Sequence, residues 1–179
     1  MTQGTLFLVV GPSGAGKDSL KDAARQHFDG DPRLNFPRRY ITRAADAGGE
    51  NHIAVTPAEF VNLDLALRWS AHGMHYGISS ETESYLDQGV SVVINTSRSV
   101  IQLAEAKYDQ VVTLYVSVSK EILYQRLVAR GRETEIDIQK RIERAEAFEV
   151  VAKNLFEITN DGLLAESQGA FIEVISKNL

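Results

Sequence analysis

The chain contains no cysteine, which excludes disulfide cross-links, a thiol nucleophile and any zinc site built on thiolates. It also lacks an apolar run approaching the ~20 residues that a membrane-spanning helix needs. Neither repeats nor low-complexity tracts interrupt it. Its formal charge of −5 leaves none of the positive excess that broad nucleic-acid binding requires. Met1-Thr2-Gln3-Gly4 leads straight into the first apolar run, with no room for a secretory leader, so a cytoplasmic location is expected. What remains, 44% hydrophobic and 24% charged over 179 residues, is the composition of one globular domain large enough to bury a core.

The most informative stretch that is present is Gly11-Pro12-Ser13-Gly14-Ala15-Gly16-Lys17. It follows the apolar run Leu6–Val10 and precedes Asp18-Ser19-Leu20 and a helical pattern, the strand–loop–lysine–helix context of a phosphate site. Glycines free backbone N–H groups to point into a concavity that suits phosphate oxygens. The helix beginning near Lys17 adds the positive end of its dipole. Lys17 is placed to neutralise the β- and γ-phosphates of a nucleoside triphosphate. Asp18 stands where the motif has Ser or Thr, so its last position departs from the pattern.

Apolar runs alternate with helical stretches, which predicts an α/β fold around a parallel sheet flanked by helices. Strands are expected at Thr5–Val10, Phe36–Thr42, Ile53–Val55, Leu65–Ala71, Met74–Ile78, Ser91–Asn95, Val111–Val118 and Phe156–Thr159. Helices are expected from Lys17 to His27, from Thr56 (an N-cap, with Pro57 and Glu59 completing a capping box), over Ser80–Asp87, from Ser119 to about Ala129, and from Glu135 to about Lys153. Phe171, Ile172 and Ile175 fit one helix face, and the tail is read as helix over a strand alternative. Residues of about 36–88 form an insertion too irregular for a βαβ repeat, read as an acceptor-binding subdomain. The segment of about 130–144 reads as a lid.

These segments together resemble the guanylate kinase superfamily. The loop Gly11–Lys17 is similar to that superfamily's phosphate loop, and Thr42-Arg43 to its acceptor-phosphate pair. Trp69, His72-Gly73, Tyr76-Gly77 and Ser79 resemble its middle segment. Arg126-Leu127, Arg130-Gly131, Ile138 and Arg141 resemble its lid, and Asn160-Asp161 the pair that helps hold adenine. The guanine readers differ. A second arginine is replaced by Asp46, the glutamate before the Trp by Arg68, and a strand-end aspartate by Asn95. Arginine only donates, as do the N–H groups of the guanine edge, and buried donors left unpaired cost ~1–3 kcal/mol each.

Gly16–Leu20, Arg39–Arg43, Gly48–His52, Ala71–Gly73, Tyr76–Ile78, Asn95–Arg98 and Arg130–Glu133 are more similar to the ribose 1,5-bisphosphate phosphokinase family. That resemblance implies ATP-dependent phosphorylation of ribose 1,5-bisphosphate at its 1-phosphate, giving 5-phosphoribosyl 1-diphosphate, in association with phosphonate breakdown. It implies small-molecule substrates rather than nucleic acid or membrane as partners. The nucleotide would be held by Gly11, Pro12, Ser13, Gly14, Ala15, Gly16, Lys17, Asp18, Ser19 and Asn160. A bisphosphate without a base needs positive charge, for which Arg43, Arg68 and Arg98 are positioned, with Tyr76 and Ser79 as hydrogen-bonding partners. For Arg38 and Arg39, acceptor contact stands beside an equal alternative, a solvated face or pairing with Glu50 or Glu81. Asp46 or Glu50 could instead meet ribose hydroxyls.

The acceptor oxygen is already ionised near neutral pH, since a phosphate's second pKa is ~6, so no general base is required. Catalysis then rests on alignment and charge neutralisation by Lys17, Mg²⁺ and the lid arginines Arg130 and Arg141, with Arg132 and Arg144 behind them. Asp18 would bind Mg²⁺, because Asn95 ends its strand without a carboxylate. His52, His72 and His75 lack zinc spacing and are assigned no metal. Two alternatives stand beside this reading: a nucleoside monophosphate kinase and a non-catalytic guanylate-kinase-like binding module.

Overall fold

The computed structural model describes residues 3–47, 50–147 and 149–179. Gly48-Gly49, part of the resemblance above, lies outside them. In chain order the first elements are β1 (Leu6–Val10), α1 (Lys17–His27), β2 (Leu34–Asn35), β3 (Tyr40–Ile41), β4 (Ile53–Ala54), α2 (Pro57–Val61), β5 (Leu65–Ala71) and β6 (Met74–Ser79). They are followed by α3 (Glu81–Asp87), β7 (Ser91–Asn95), a 3₁₀ turn at Arg98–Val100, α4 (Ile101–Lys107), β8 (Val111–Ser117), α5 (Lys120–Arg130), α6 (Glu135–Glu146), β9 (Leu155–Thr159) and α7 (Leu164–Lys177).

All five residues of β1 are fully buried, with Leu6, Leu8 and Val10 in one core cluster and Phe7 and Val9 in another. A strand buried on both faces needs helices on both sides and suits a parallel sheet. The sheet runs β2-β7-β1-β8-β9 with every pair parallel. One face is covered by α1 and α7, through Leu20, Ala24, Phe171 and Ile175. Leu86 of α3 and Ile101 and Ala104 of α4 cover the other. Each of the leucines, isoleucines and Phe171 among them contributes roughly 1.5–3 kcal/mol by leaving water. The carboxyl ends of β1 and β7 open side by side into loops, the place where open α/β sheets bind ligands.

A second sheet, β4-β3-β6-β5, stands over those loops. Its β5–β6 hairpin turns at His72-Gly73, where His72 adopts φ 52°. The capping box at Thr56 and Glu59 is formed: each side chain bonds the other's backbone N–H. Leu123, Leu127, Ile138 and Ile142 make a small third core between α5 and α6. Among the described residues no helix is long and apolar enough to cross a membrane.

Several expected elements differ. The extended stretch at 36–42 is only β3 and a preceding coil, because Pro37 has no N–H to give a ladder. The helix expected to reach Lys153 stops at Glu146: Val150 and Ala152 pack against the main core, so the chain must leave the helix axis. Helix α4 was not expected, although Val100, Ile101 and Ala104 recur at helical spacing and all face the core. The tail is helix, not strand.

Candidate active site

A cavity of about 680 Å³ lies between the two sheets and the α5–α6 hairpin. Its floor is the loop between β1 and α1. Gly11, Pro12, Ser13, Lys17 and Asp18 line it, while Gly14, Ala15 and Gly16 turn behind. Two glycines explain the shape of that turn. A Cβ on Gly11 would fall 2.4 Å from the Val116 carbonyl oxygen, and Gly16 takes the left-handed conformation (φ 93°, ψ 20°) as the N-cap of α1. The Lys17 ammonium donates to the carbonyls of Gly11 (2.8 Å) and Pro12 (2.9 Å). Burial lowers its pKa to about 8, Asp18 opposes that shift, and Arg39 and Arg98 reinforce it. Ser19 is exposed on α1 and outside the cavity lining.

Behind the loop, Asn160 at the end of β9 is 2% exposed and donates its amide to the Ala15 carbonyl at 2.7 Å. Arg126 donates to that carbonyl (3.3 Å) and to the Asn160 carbonyl (2.6 Å). Asn160 therefore braces the loop and does not line the cavity. Arg126, grouped by motif with the lid, does the same.

The acceptor side is cationic. Arg39, Arg43, Arg98, Arg130, Arg132, Arg141, Arg144 and Lys17 line the cavity, against the carboxylates Asp18, Glu50 and Glu133. Arg98 has its pKa lowered by burial. Arg43 approaches His52 Nδ1 (3.4 Å), and the two His52 ring nitrogens lie 3.1 Å from the carbonyls of Glu50 and Arg43, with donor and acceptor roles that depend on the tautomer. Thr42 accepts the His75 backbone N–H at 2.8 Å and so ties β3 to β6. From the hairpin of α5 and α6, Arg141 donates to the Ser13 hydroxyl (2.9 Å) and pairs with Glu133 (2.8 Å). Burial lowers the His72 pKa, and the charges of Arg141, Arg144 and Lys17 lower it further.

Two expected acceptor contacts are not brought here. Arg68 is exposed on the opposite face of β5, over the Phe60 ring (5.8 Å) and bonded to the Leu63 carbonyl. Neighbours on a strand point opposite ways, so with Trp69 lining the cavity Arg68 cannot. Ser79 likewise turns away and accepts the Glu81 N–H at 3.2 Å at the start of α3. Tyr76 does line the cavity, stacked on Trp69.

The motif residues Asn95, Thr96, Arg43 and Glu133 carry contacts that the sequence alone did not foretell. Asn95 donates its amide to Asp18, and its Oδ1 is buried without a partner, as are Thr96 Oγ1, Arg43 Nε and Glu133 Oε2. All four residues line the cavity. Buried polar atoms are ordinarily satisfied, so a cluster of unsatisfied ones at a cavity marks a place for a polar ligand. The run Asn95-Thr96-Ser97-Arg98 after a buried strand marks the segment by resemblance, without showing which of its polar atoms lack partners. Among the described residues no group of His, Asp and Glu forms a ready-made metal cluster.

No protein-family model matches the chain. The solved guanylate kinase from Anaplasma phagocytophilum superposes with a TM-score of 0.63 at 17% identity, covering 100% of this chain and 88% of that one, which speaks to the fold. Two curated relatives are much nearer in sequence. Ribose 1,5-bisphosphate phosphokinase PhnN of Thiobacillus denitrificans is 42% identical over 180 residues, covering 98% of this chain and 95% of the relative. The protein of the same name from Chromobacterium violaceum is 45% identical over 168 residues, 92% and 89% of the two chains. A guanylate-kinase-like phosphate-loop fold with this much identity over nearly the full length places the chain in the ribose 1,5-bisphosphate phosphokinase family.

Proposed function

We propose that this chain transfers the γ-phosphoryl group of ATP to the 1-phosphate of ribose 1,5-bisphosphate, giving 5-phosphoribosyl 1-diphosphate and ADP. The observation that carries this reading is the cavity itself: eight cationic side chains against three carboxylates in a chain of net charge −5, beside a phosphate-binding loop. Positive charge so concentrated suits two substrates that together bring several phosphates. A 1-phosphate oxygen attacks the γ-phosphorus, and the bond from that phosphorus to the β,γ-bridging oxygen breaks. ADP leaves with the electron pair. Because the acceptor oxygen is already ionised, no protein base has to take a proton.

The chain's own groups then have distinct roles. The loop N–H groups and Lys17 bind the donor phosphates. Arg43 and Arg98 bind acceptor phosphate, with Tyr76 forming the wall of its site. Arg130 and Arg141 neutralise charge on the transferred group, the term on which phosphoryl transfer chiefly depends. The segment of about 130–144, packed on α5 through a separate small core, acts as a lid that excludes water. Asp18 and Asn95 Oδ1 suit Mg²⁺, since a hard cation takes carboxylate and amide oxygens and this amide oxygen is buried without a partner. Mg²⁺ would supply charge neutralisation at the β- and γ-phosphates. A cytoplasmic site of action completes the proposal.

The deciding experiment is a coupled ADP-release assay comparing ribose 1,5-bisphosphate with the common nucleoside monophosphates. The bisphosphate should be the best acceptor by kcat/KM, and a higher value with GMP overturns the reading. For the metal role, Asp18→Asn should raise the Mg²⁺ concentration at half-maximal rate. An unchanged Mg²⁺ profile removes Asp18 from it.

A further inference from the structure

Arg39 lies against the aromatic wall of the cavity formed by Trp69 and Tyr76. Trp69 and Tyr76 face each other in register on β5 and β6, with ring centroids 5.5 Å apart and planes 10° apart. Aromatic faces at a cavity wall are platforms on which nucleobases stack without regard to sequence. Here the guanidinium carbon of Arg39 lies 5.2 Å from the Tyr76 ring centroid and 5.8 Å from that of Trp69. A guanidinium is itself planar, delocalised and suited to such stacking.

Arg39 is also pinned. Its Nε donates to Glu50 Oε1 at 2.8 Å, one Nη2 hydrogen goes to Glu50 Oε2, and Nη1 donates to the Asn95 carbonyl at 3.1 Å. The two side chains are 13% and 9% exposed. Burial raises the Glu50 pKa, but the Arg39 hydrogen bonds and charge outweigh it and hold the carboxyl below its usual range. An arginine held by three hydrogen bonds and two rings cannot swing aside for an incoming base. Of its five N–H groups, two remain uncommitted.

We propose that Arg39, positioned by Glu50, sets acceptor specificity: its guanidinium fills the Trp69–Tyr76 shelf, blocks stacking of a nucleobase, and offers its two remaining N–H groups to a ribosyl phosphate. The identity of the favoured acceptor rests on the function proposed above, whereas the exclusion of bases does not. Arg68, the residue from which exclusion of guanine was expected, is on the wrong face of β5 to perform it. Glu50 is a positioning residue, and the charge pair it makes fixes the plane of the guanidinium against the rings.

The test is the double variant Arg39→Ala/Glu50→Gln, which removes the guanidinium without leaving an unpaired carboxylate charge. Trp69 is the chain's one tryptophan, so its fluorescence reports directly on the shelf. Adding GMP or AMP should quench it in the double variant and leave the wild type unchanged. The ratio of kcat/KM for ribose 1,5-bisphosphate over GMP should fall about 100-fold, the scale on which pocket contacts discriminate, chiefly through a raised KM for the bisphosphate. Glu50→Gln alone keeps the guanidinium but loosens it, and the ratio should fall by about tenfold. A double variant with wild-type circular dichroism, no nucleotide quench and an unchanged ratio overturns the proposal. So does nucleotide quenching of the wild type. Should the double variant not fold, an unchanged ratio in Glu50→Gln overturns it instead. If the wild type proves inactive on the bisphosphate while the double variant gains nucleotide quenching, the proposed function falls and the shelf assignment stands.

Discussion

Gly16→Ala tests the architecture of the phosphate loop, because two separate costs can be worked out at that position. Gly16 has φ 93° and ψ 20°, a left-handed conformation that costs an L-residue with a Cβ roughly 1–2 kcal/mol. The added Cβ would also fall 2.5 Å from the Asn160 amide nitrogen. Asn160 is 2% exposed and cannot move into solvent, so the clash must break its 2.7 Å hydrogen bond to Ala15. The Ala15 carbonyl keeps Arg126, but the Asn160 amide becomes a buried unpaired donor, at about 1–3 kcal/mol. The total of about 2–5 kcal/mol is a large part of the ~5–15 kcal/mol that holds a domain folded. For a chain of this length it corresponds to a fall in Tm of roughly 4–20 °C. Urea unfolding of the ligand-free protein should show a lower midpoint with an unchanged m-value. In an Asn160→Gly background only the backbone cost should remain, so the double-mutant cycle should yield a coupling of about 1–3 kcal/mol. Additive costs, or a Gly16→Ala penalty below about 1 kcal/mol, refute the account.

Lys17 should make stability depend on pH. Its folded-state pKa of about 8 lies below the ordinary 10.5, so between those values the unfolded chain holds the extra proton. The burial penalty is therefore full below pH 8 and fades as pH rises to 10.5. Relative to Lys17→Met, ligand-free wild type should gain up to about 3 kcal/mol across that window, and parallel profiles refute the assignment. ATP binding at pH 9 should take up a proton at Lys17, seen as a dependence of the calorimetric heat on the buffer's ionisation enthalpy. Arg68→Ala should leave kcat/KM for the bisphosphate within about twofold, since an exposed side chain away from the cavity is usually near neutral. Arg141→Ala should lower kcat by about 10²–10³-fold with a small change in KM, the signature of charge stabilised in the transition state.

What could be read from the sequence was local. The phosphate loop, the capping box at Thr56 and the β5–β6 hairpin each depend on residues within a few positions of one another, and all three are present. Arg68 shows the limit of matching motifs without geometry. Its neighbour Trp69 lines the cavity, and strand alternation alone says that the two face opposite ways. Ser79 turns away by the same alternation, two residues from Gly77 and three from Tyr76. Asn160 illustrates the opposite case. Its partner Ala15 lies 145 residues earlier, and nothing local distinguishes an asparagine that braces a loop from one that meets a ligand. The Arg39–Glu50 pair was an open alternative for the same reason: the fold, through β3 and its neighbours, decides whether two opposite charges eleven residues apart meet.

The three carboxylates in the cavity explain how so much positive charge can be kept in order within an acidic chain. Unopposed arginines at such spacing repel one another and leave their side chains mobile, which costs rotamer entropy when a ligand fixes them. Glu50 instead fixes Arg39 and Glu133 fixes Arg141, while Asp18 accepts the Asn95 amide. Each acid holds in place a group that faces the cavity, so much of the ordering cost falls on folding and not on binding. The pairing also sets a division of labour. Arg39 and Arg141 are oriented before any phosphate arrives, whereas Lys17, bonded only to neutral carbonyls and with its pKa lowered, gains most from an incoming anion. Charge complementarity in this cavity is thus preorganised at its walls and responsive at its floor, the arrangement expected where the transferred phosphoryl group must pass between two fixed anions.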